Sequence, residues 1–298
     1  MMNVYKNCNL CPRNCGVDRS VNKGYCKTTD KLLVTRAALH MWEEPCISGE
    51  NGSGTVFFGG CNMGCIYCQN SAIRDGKTGK EITNQRLAEI FFELKEKGAN
   101  NINLVTPTHF VPHIVKALDI AKKQNFNLPV VYNTSGYEKA ETLKMLDGYI
   151  DIYLPDFKYY NKESAKEYSN APDYIDYVKP AIDEMFRQVG TPVFDEKGIM
   201  KKGVIVRHML LPKHLEESKK IIKYLYDTYN DDIFISIMNQ YTPMPQVADH
   251  PVLNRKVKDA EYNELVDYAI DIGVENGFIQ EGETAMESFI PSFDNTGV

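Results

Sequence analysis

The chain of 298 residues is 43% hydrophobic and 25% charged, which places it among globular proteins and excludes a disordered chain. Lys+Arg is 34 and Asp+Glu is 40, so the net charge is −6 and no basic footprint for DNA or RNA is present. No run of about 18 apolar residues occurs and the start, MMNVYKNCNL, lacks the apolar stretch of a leader, so the expected address is cytoplasmic, without a membrane segment.

All eight cysteines lie in the first 68 residues. A disulfide scaffold would spread them through a small exported chain, whereas clustered thiols in a reducing compartment point to metal. Residues 1–50 read as a cysteine-rich N-terminal cap with little periodicity. A short apolar strand, 55–58, follows between glycines. From residue 82 helix and strand patterns alternate. Helical stretches are expected at 84–98, 113–124, 139–146, 172–190 (with Pro180 as a break or restart), 216–229 and 258–273. Strands are expected at 102–106, 128–133, 149–156, 203–212 and 233–239. Six strand–helix units argue for a parallel sheet with crossover helices. Six are fewer than the eight of a closed barrel, so a partial barrel or an open sheet is expected, with the site at the C-terminal strand ends. The main domain is taken as 51–275 and the remainder, 276–298, as an extension. Its last stretch, ESFIPSFDNTGV, reads as a loose surface segment.

The strongest chemical signal directly follows the first expected strand: Cys61-Asn-Met-Gly-Cys65-Ile-Tyr-Cys68. Three thiolates within eight residues can converge on one inorganic body. A cubane iron–sulfur cluster normally takes four cysteines, so three local ligands leave one iron open, the mark of a catalytic metal site. Zinc is the alternative, but structural zinc favours paired C-x-x-C knuckles.

CxxxCxxC with an aromatic, Tyr67, before the last cysteine resembles the radical S-adenosylmethionine (SAM) enzymes. The wider segment EEPCISGENGSGTVFFGGCNMGCIYCQN (43–70) is similar to the branch related to pyruvate formate-lyase activating enzyme. The likeness runs over roughly residues 8 to 245. It implies a partial (β/α)6 TIM-like barrel whose [4Fe–4S] cluster, on Cys61, Cys65 and Cys68, binds SAM and cleaves it to a 5′-deoxyadenosyl radical that abstracts hydrogen. It further implies a one-electron reductant such as flavodoxin or ferredoxin, and a glycyl radical enzyme as partner.

Polar groups at later strand ends are where that resemblance needs them. Tyr67 would pack by the adenine. Thr106, Thr108 and His109 stand where relatives carry a Gly-Gly-Glu stretch for the methionine amino group. Asn133, Thr134 and Ser135 resemble an Asp-Thr-Asn-Gly stretch whose leading acid helps hold a monovalent cation, although Asn133 carries no charge. Asp156 and Lys158 form an Asp-x-Lys like one that contacts bound SAM. Arg207 has the planar fork that suits a carboxylate. Gln240 stands where an activating enzyme places a histidine. Taken singly, each is ordinarily a surface or core residue. Their convergence on one face of one sheet is the argument.

Cys8, Cys11, Cys15 and Cys26 give C-x2-C-x3-C-x10-C, spacing for one zinc or an auxiliary iron–sulfur cluster, or for a structural staple. Cys46 is left over as a small buried residue. The rival to a radical enzyme acting on a glycyl radical enzyme, another peptide or a small molecule is a non-catalytic metal-binding or electron-transfer protein. An electron carrier, however, needs no set of polar strand ends.

Overall fold

A computed structural model describes residues 2–280 and 291–298. The strands are β1 Leu32–His40, β2 Ser53–Phe58, β3 Lys80–Ile82, β4 Ile102–Val105, β5 Val130–Thr134, β6 Ile152–Pro155, β7 Val193–Phe194, β8 Met200–Met209, β9 Phe234–Met238 and β10 Gly277–Ile279. In the sheet they run β10-β9-β8-β6-β5-β4-β2-β1-β3, with β7 paired beside β8. Every pair from β2 through β10 along that path is parallel, while β1 and β3 are antiparallel at one edge. The two ends of the path do not pair, so the sheet is an open partial barrel.

The helices are α1 Pro45–Ser48, α2 Ser71–Arg74, α3 Asn84–Glu96, α4 Val111–Lys122, α5 Ala140–Leu143, α6 Lys162–Ser169, α7 Tyr174–Val189, α8 Leu215–Tyr229 and α9 Asp259–Asp271. α3 shows why the crossovers form. Thr83 caps its first turn by accepting from the Arg86 amide at 3.0 Å, and Leu87, Ile90, Phe91 and Leu94 bury one stripe. The strands beneath are apolar runs buried on both faces, as in β4 and β6, because crossover helices leave no face to water.

The structure corrects four expectations. β1 lies within the stretch assigned to the cap, yet it belongs to the sheet and pairs with β2 and β3; the cysteine-rich segment itself ends before residue 32. α7 runs through Pro180 without a break. Pro180 and Asp176 are both exposed, so the carbonyl freed by the missing amide faces water. The described end of the tail is not loose. The Ala37 amide donates to the Thr296 carbonyl at 2.8 Å, Arg36 pairs with Asp294 at 3.2 Å, and Phe293 packs edge-on against Phe57. The rest of that stretch, 287–290, lies outside the described residues. Finally, β10 lies in the stretch taken as an extension, 276–298, yet it pairs with β9 in the sheet, and β3, β7 and α6 match no expected element.

Candidate active site

Strands β2, β4, β5, β6, β8 and β9 present their C-terminal ends to one cavity of about 240 Å3. Beyond β2 the chain turns at Gly59-Gly60 into the cysteine loop. Cys61, Cys65 and Cys68 all line the cavity, with Cys65 the most buried. A tight clamp holds the loop. Arg13, from the cysteine-rich cap, donates to the carbonyls of Asn62 (2.8 Å), Met63 (3.0 Å), Ser169 (2.8 Å) and Asn170, and stacks on Tyr25 and Tyr137. The Ser169 hydroxyl donates to Cys65 Sγ at 3.0 Å, and Arg74 donates to the Cys65 carbonyl at 2.8 Å. Gly60 has φ +84°, and a Cβ there would collide with the Cys26 carbonyl oxygen. Burial raises the Cys61 and Cys68 thiols, Cys68 to about 12, with neighbouring thiols adding to the shift.

Opposite the loop lies an ion network. Asp156 Oδ2 accepts from Lys158 Nζ at 2.7 Å, and Asp156 Oδ1 from Arg207 Nε at 2.9 Å. Arg207 also donates to Asn133 Oδ1 at 2.8 Å and to Glu43 Oε2 at 3.2 Å. Burial works to raise Asp156, but Arg207 and Lys158 outweigh it and hold the carboxyl below the usual range. Burial likewise works against the Lys158 ammonium, and Asp156 overcomes it. Arg207 is therefore committed to two acids, whereas Lys158 has one of its three donors engaged among the described residues.

Of the expected residues, Tyr67, Thr106, Asn133, Thr134, Ser135 and Gln240 also line the cavity. Thr106 takes φ +59°, a strained backbone for a β-branched residue, at the position of the relatives' Gly-Gly-Glu stretch. Tyr67 spends its hydroxyl on Tyr159, at 2.7 Å. Thr108 and His109 do not reach the cavity, which corrects their expected role. Thr108 bonds Glu138 at 2.5 Å. His109 is buried against the Gly59 carbonyl at 2.9 Å, and burial with the nearby Arg19 charge lowers it to about 3.

Sequence reasoning missed Glu43, Arg13 and Glu138. Glu43 comes from the connection between β1 and α1 and joins the ion network through Arg207 and Asn133, without itself lining the thiol cavity. Glu138 is fully buried, accepting from Thr108 and Thr134 at 2.5 Å and from Tyr132 at 3.4 Å, with its second oxygen unpartnered. Burial raises it to about 7, against the lowering effect of those hydroxyls. No spacing in the sequence marks such a residue.

Three thiols and a half-buried ion network thus line one cavity inside a partial barrel. The chain matches the family model described as Radical SAM superfamily over residues 55–225. It belongs to the radical SAM superfamily. This radical SAM protein is similar to an uncharacterized protein of Methanocaldococcus jannaschii, 30% identical over 277 residues covering 90% of this chain and 75% of the relative. Its fold is similar to the FeFe-hydrogenase maturase HydG from Carboxydothermus hydrogenoformans (TM-score 0.52, 12% identity, covering 80% of this chain and 55% of that one). It is also similar to SuiB of Streptococcus suis bound to S-adenosylmethionine (TM-score 0.51, 14% identity, covering 78% and 51%). The chain spans about half the length of those two solved structures.

Membership of the superfamily implies a [4Fe–4S] cluster and SAM. The residues present fit both. Three cysteine side chains open on the same cavity as the ion network, and the buried Ser135 hydroxyl, which lines that cavity, has no hydrogen-bond partner. Such an orphan is what a polar ligand would satisfy. Among the described residues no group of three or more His, Cys, Asp and Glu forms a ready site for one metal ion, and that includes this loop. No helix among them is long and apolar enough to cross a membrane.

Proposed function

We propose that Cys61, Cys65 and Cys68 ligate the [4Fe–4S] cluster and that the chain uses it to cleave SAM and abstract hydrogen from a further substrate. The observation that carries this reading is the facing arrangement of the three thiols and the Asp156–Lys158–Arg207 network across one cavity. When bound and reduced, the cluster supplies the electron that breaks the SAM sulfonium. The chain's own residues orient and enclose. Lys158 offers its remaining donors to the methionine carboxylate. Asp156 fixes the Lys158 ammonium and accepts from an ammonium or ribose hydroxyl. Ser135 and the strained Thr106 turn present polar atoms at neighbouring strand ends. Arg207 acts chiefly by holding Asp156 and Asn133 in place, since Glu43 and Asp156 already neutralise it. Asn133, bonded to Arg207, is not free to replace the charged residue of a cation site.

The substrate side we assign to a second cavity of about 440 Å3 that shares Gln69, Arg207, Met238 and Gln240 with the first. The exposed Trp42 and Met41 at its rim suit a protein loop. The resemblance of residues 43–70 makes a glycine of a glycyl radical enzyme the first hydrogen donor to test, with a cytoplasmic flavodoxin or ferredoxin as reductant. Anaerobic reconstitution tests the ligand assignment. The wild-type chain should show the broad iron–sulfur absorbance near the visible, and Cys65→Ala should lose the portion that SAM perturbs. A full SAM-responsive cluster in Cys65→Ala would remove that residue from the ligand set.

A further inference from the structure

The cysteine-rich cap contains a buried charge that the fold leaves unmatched. Arg19 is fully buried. Its guanidinium donates to the carbonyls of His109 (2.8 Å) and Thr29 (2.6 Å) and to Thr28 Oγ1 (2.9 Å), all neutral, and it lies over the ring of Tyr5. Among the described residues no carboxylate pairs with it, and its Nε has no partner at all. A guanidinium cannot shed its proton, and an unpaired buried charge is strongly unfavourable, so this position calls for an anion.

The surrounding side chains are sulfurs. Cys8 Sγ lies 3.9 Å from Arg19 Nη1, and Cys26 Sγ lies 3.2 Å from the same Thr28 hydroxyl that Arg19 binds. At Gly24 a Cβ would stand 3.3 Å from Cys26 Sγ, 3.6 Å from Cys15 Sγ and 3.5 Å from Arg19 Cδ, the carbon next to the orphan Nε. The glycine thus lets two cap sulfurs and the Arg19 side chain crowd closely around one point of the backbone. Cys8, Cys11 and Cys26 are buried, and all four cap cysteines are free thiols rather than disulfides.

We propose that Cys8, Cys11, Cys15 and Cys26 hold a second metal as thiolates, zinc or an iron–sulfur cluster, and that Arg19 balances its negative charge. Four thiolates around a doubly charged centre leave a net anion, which answers the buried guanidinium; four neutral thiols do not. Neither cysteine set is a ready single-ion site as it stands, so the cap sulfurs must draw inward on a single ion or enclose a larger body. The centre would abut the catalytic loop, because the Cys61 amide donates to the Cys26 carbonyl at 3.3 Å.

The test uses the full chain with Cys61→Ala, Cys65→Ala and Cys68→Ala combined, which leaves the cap as the remaining thiolate set. It reads metal, not activity, so its failure is separate from failure of the reaction proposed above. The folded variant, purified anaerobically, should retain about one centre per chain with a sulfur-only shell by X-ray absorption. Iron with acid-labile sulfide would identify a cluster, and zinc without sulfide a zinc site. Arg19→Gln should weaken retention against a chelator about tenfold, while Arg19→Lys should hold closer to wild type. A cooperatively melting triple variant with no bound metal, or with a nitrogen and oxygen shell, would overturn the proposal. If the triple variant does not fold, native mass spectrometry of the wild-type chain decides: two metal centres support the proposal, and a single cluster overturns it.

Discussion

Lys158 and Arg207 illustrate how single residues divide one site's work. Both are cations at strand ends, but Arg207 meets Glu43 and Asp156 while Lys158 meets Asp156 alone. Lys158→Ala should therefore weaken SAM binding about 10- to 100-fold, the worth of one charge-assisted bond, with cluster content intact. An equilibrium SAM titration checks this, and unaltered affinity would exclude Lys158 from the site. Glu138 gives a pH signature. Its folded value, about 7, lies above that of a free glutamate, so the folded state binds the extra proton between pH 4.5 and 7. Its carboxyl therefore makes stability fall as pH rises through that window, by on the order of 3 kcal/mol in full. Glu138→Gln should flatten this part of the profile, so that its stability relative to the wild-type protein is higher at pH 8 than at pH 5. Denaturant midpoints at the two pH values read it directly. Cys61, Cys65, Cys68, Asp156 and Lys158 were legible because each belongs to a short motif. Glu43, Arg13 and Glu138 were not, because each acts through a neighbour that only the folded chain provides.

Among the elements, the loop from Cys61 to Cys68 depends on parts distant in sequence. Arg13 satisfies carbonyls of this loop and of the end of α6, so the cap and the helix hold the loop together. Arg13→Ala would leave those carbonyls without their charged donor, and local opening should become easier by about 2 kcal/mol. Amide hydrogen exchange at residues 61–68 should speed up roughly 30-fold, with little change in β4 and β5. Equal acceleration throughout would mean that Arg13 supports the whole fold rather than this loop. Six of the seven parallel strands were readable, from apolar runs or from alternation, and α3, α4 and α8 as helical stretches. β1 was hidden because the surrounding cysteines and polar spacers mask its alternation of buried and half-buried residues. Three-residue strands such as β3 and β10 are too short to carry a period at all.

At the scale of the whole molecule, the sheet is extended beyond its parallel core by β1 and β3, and the chain's end returns to that edge. Phe293 packs on Phe57, Ile73 and Val105, close behind the cysteine loop. Phe293→Ala should cost about 1–2 kcal/mol, because the ring is only partly buried, and lower Tm by a few degrees. Calorimetry would show it, and an unchanged Tm would make the tail incidental to stability. The partial barrel places thiols and ion network face to face across one cavity, and the account stands or falls on the chemistry done there. The most direct measurement is the release of 5′-deoxyadenosine and methionine from SAM by the anaerobically reconstituted, dithionite-reduced chain, beside Cys65→Ala. The account predicts release by the wild-type protein and none by the variant. Wild-type protein that holds its full cluster yet neither binds SAM nor releases 5′-deoxyadenosine would contradict it.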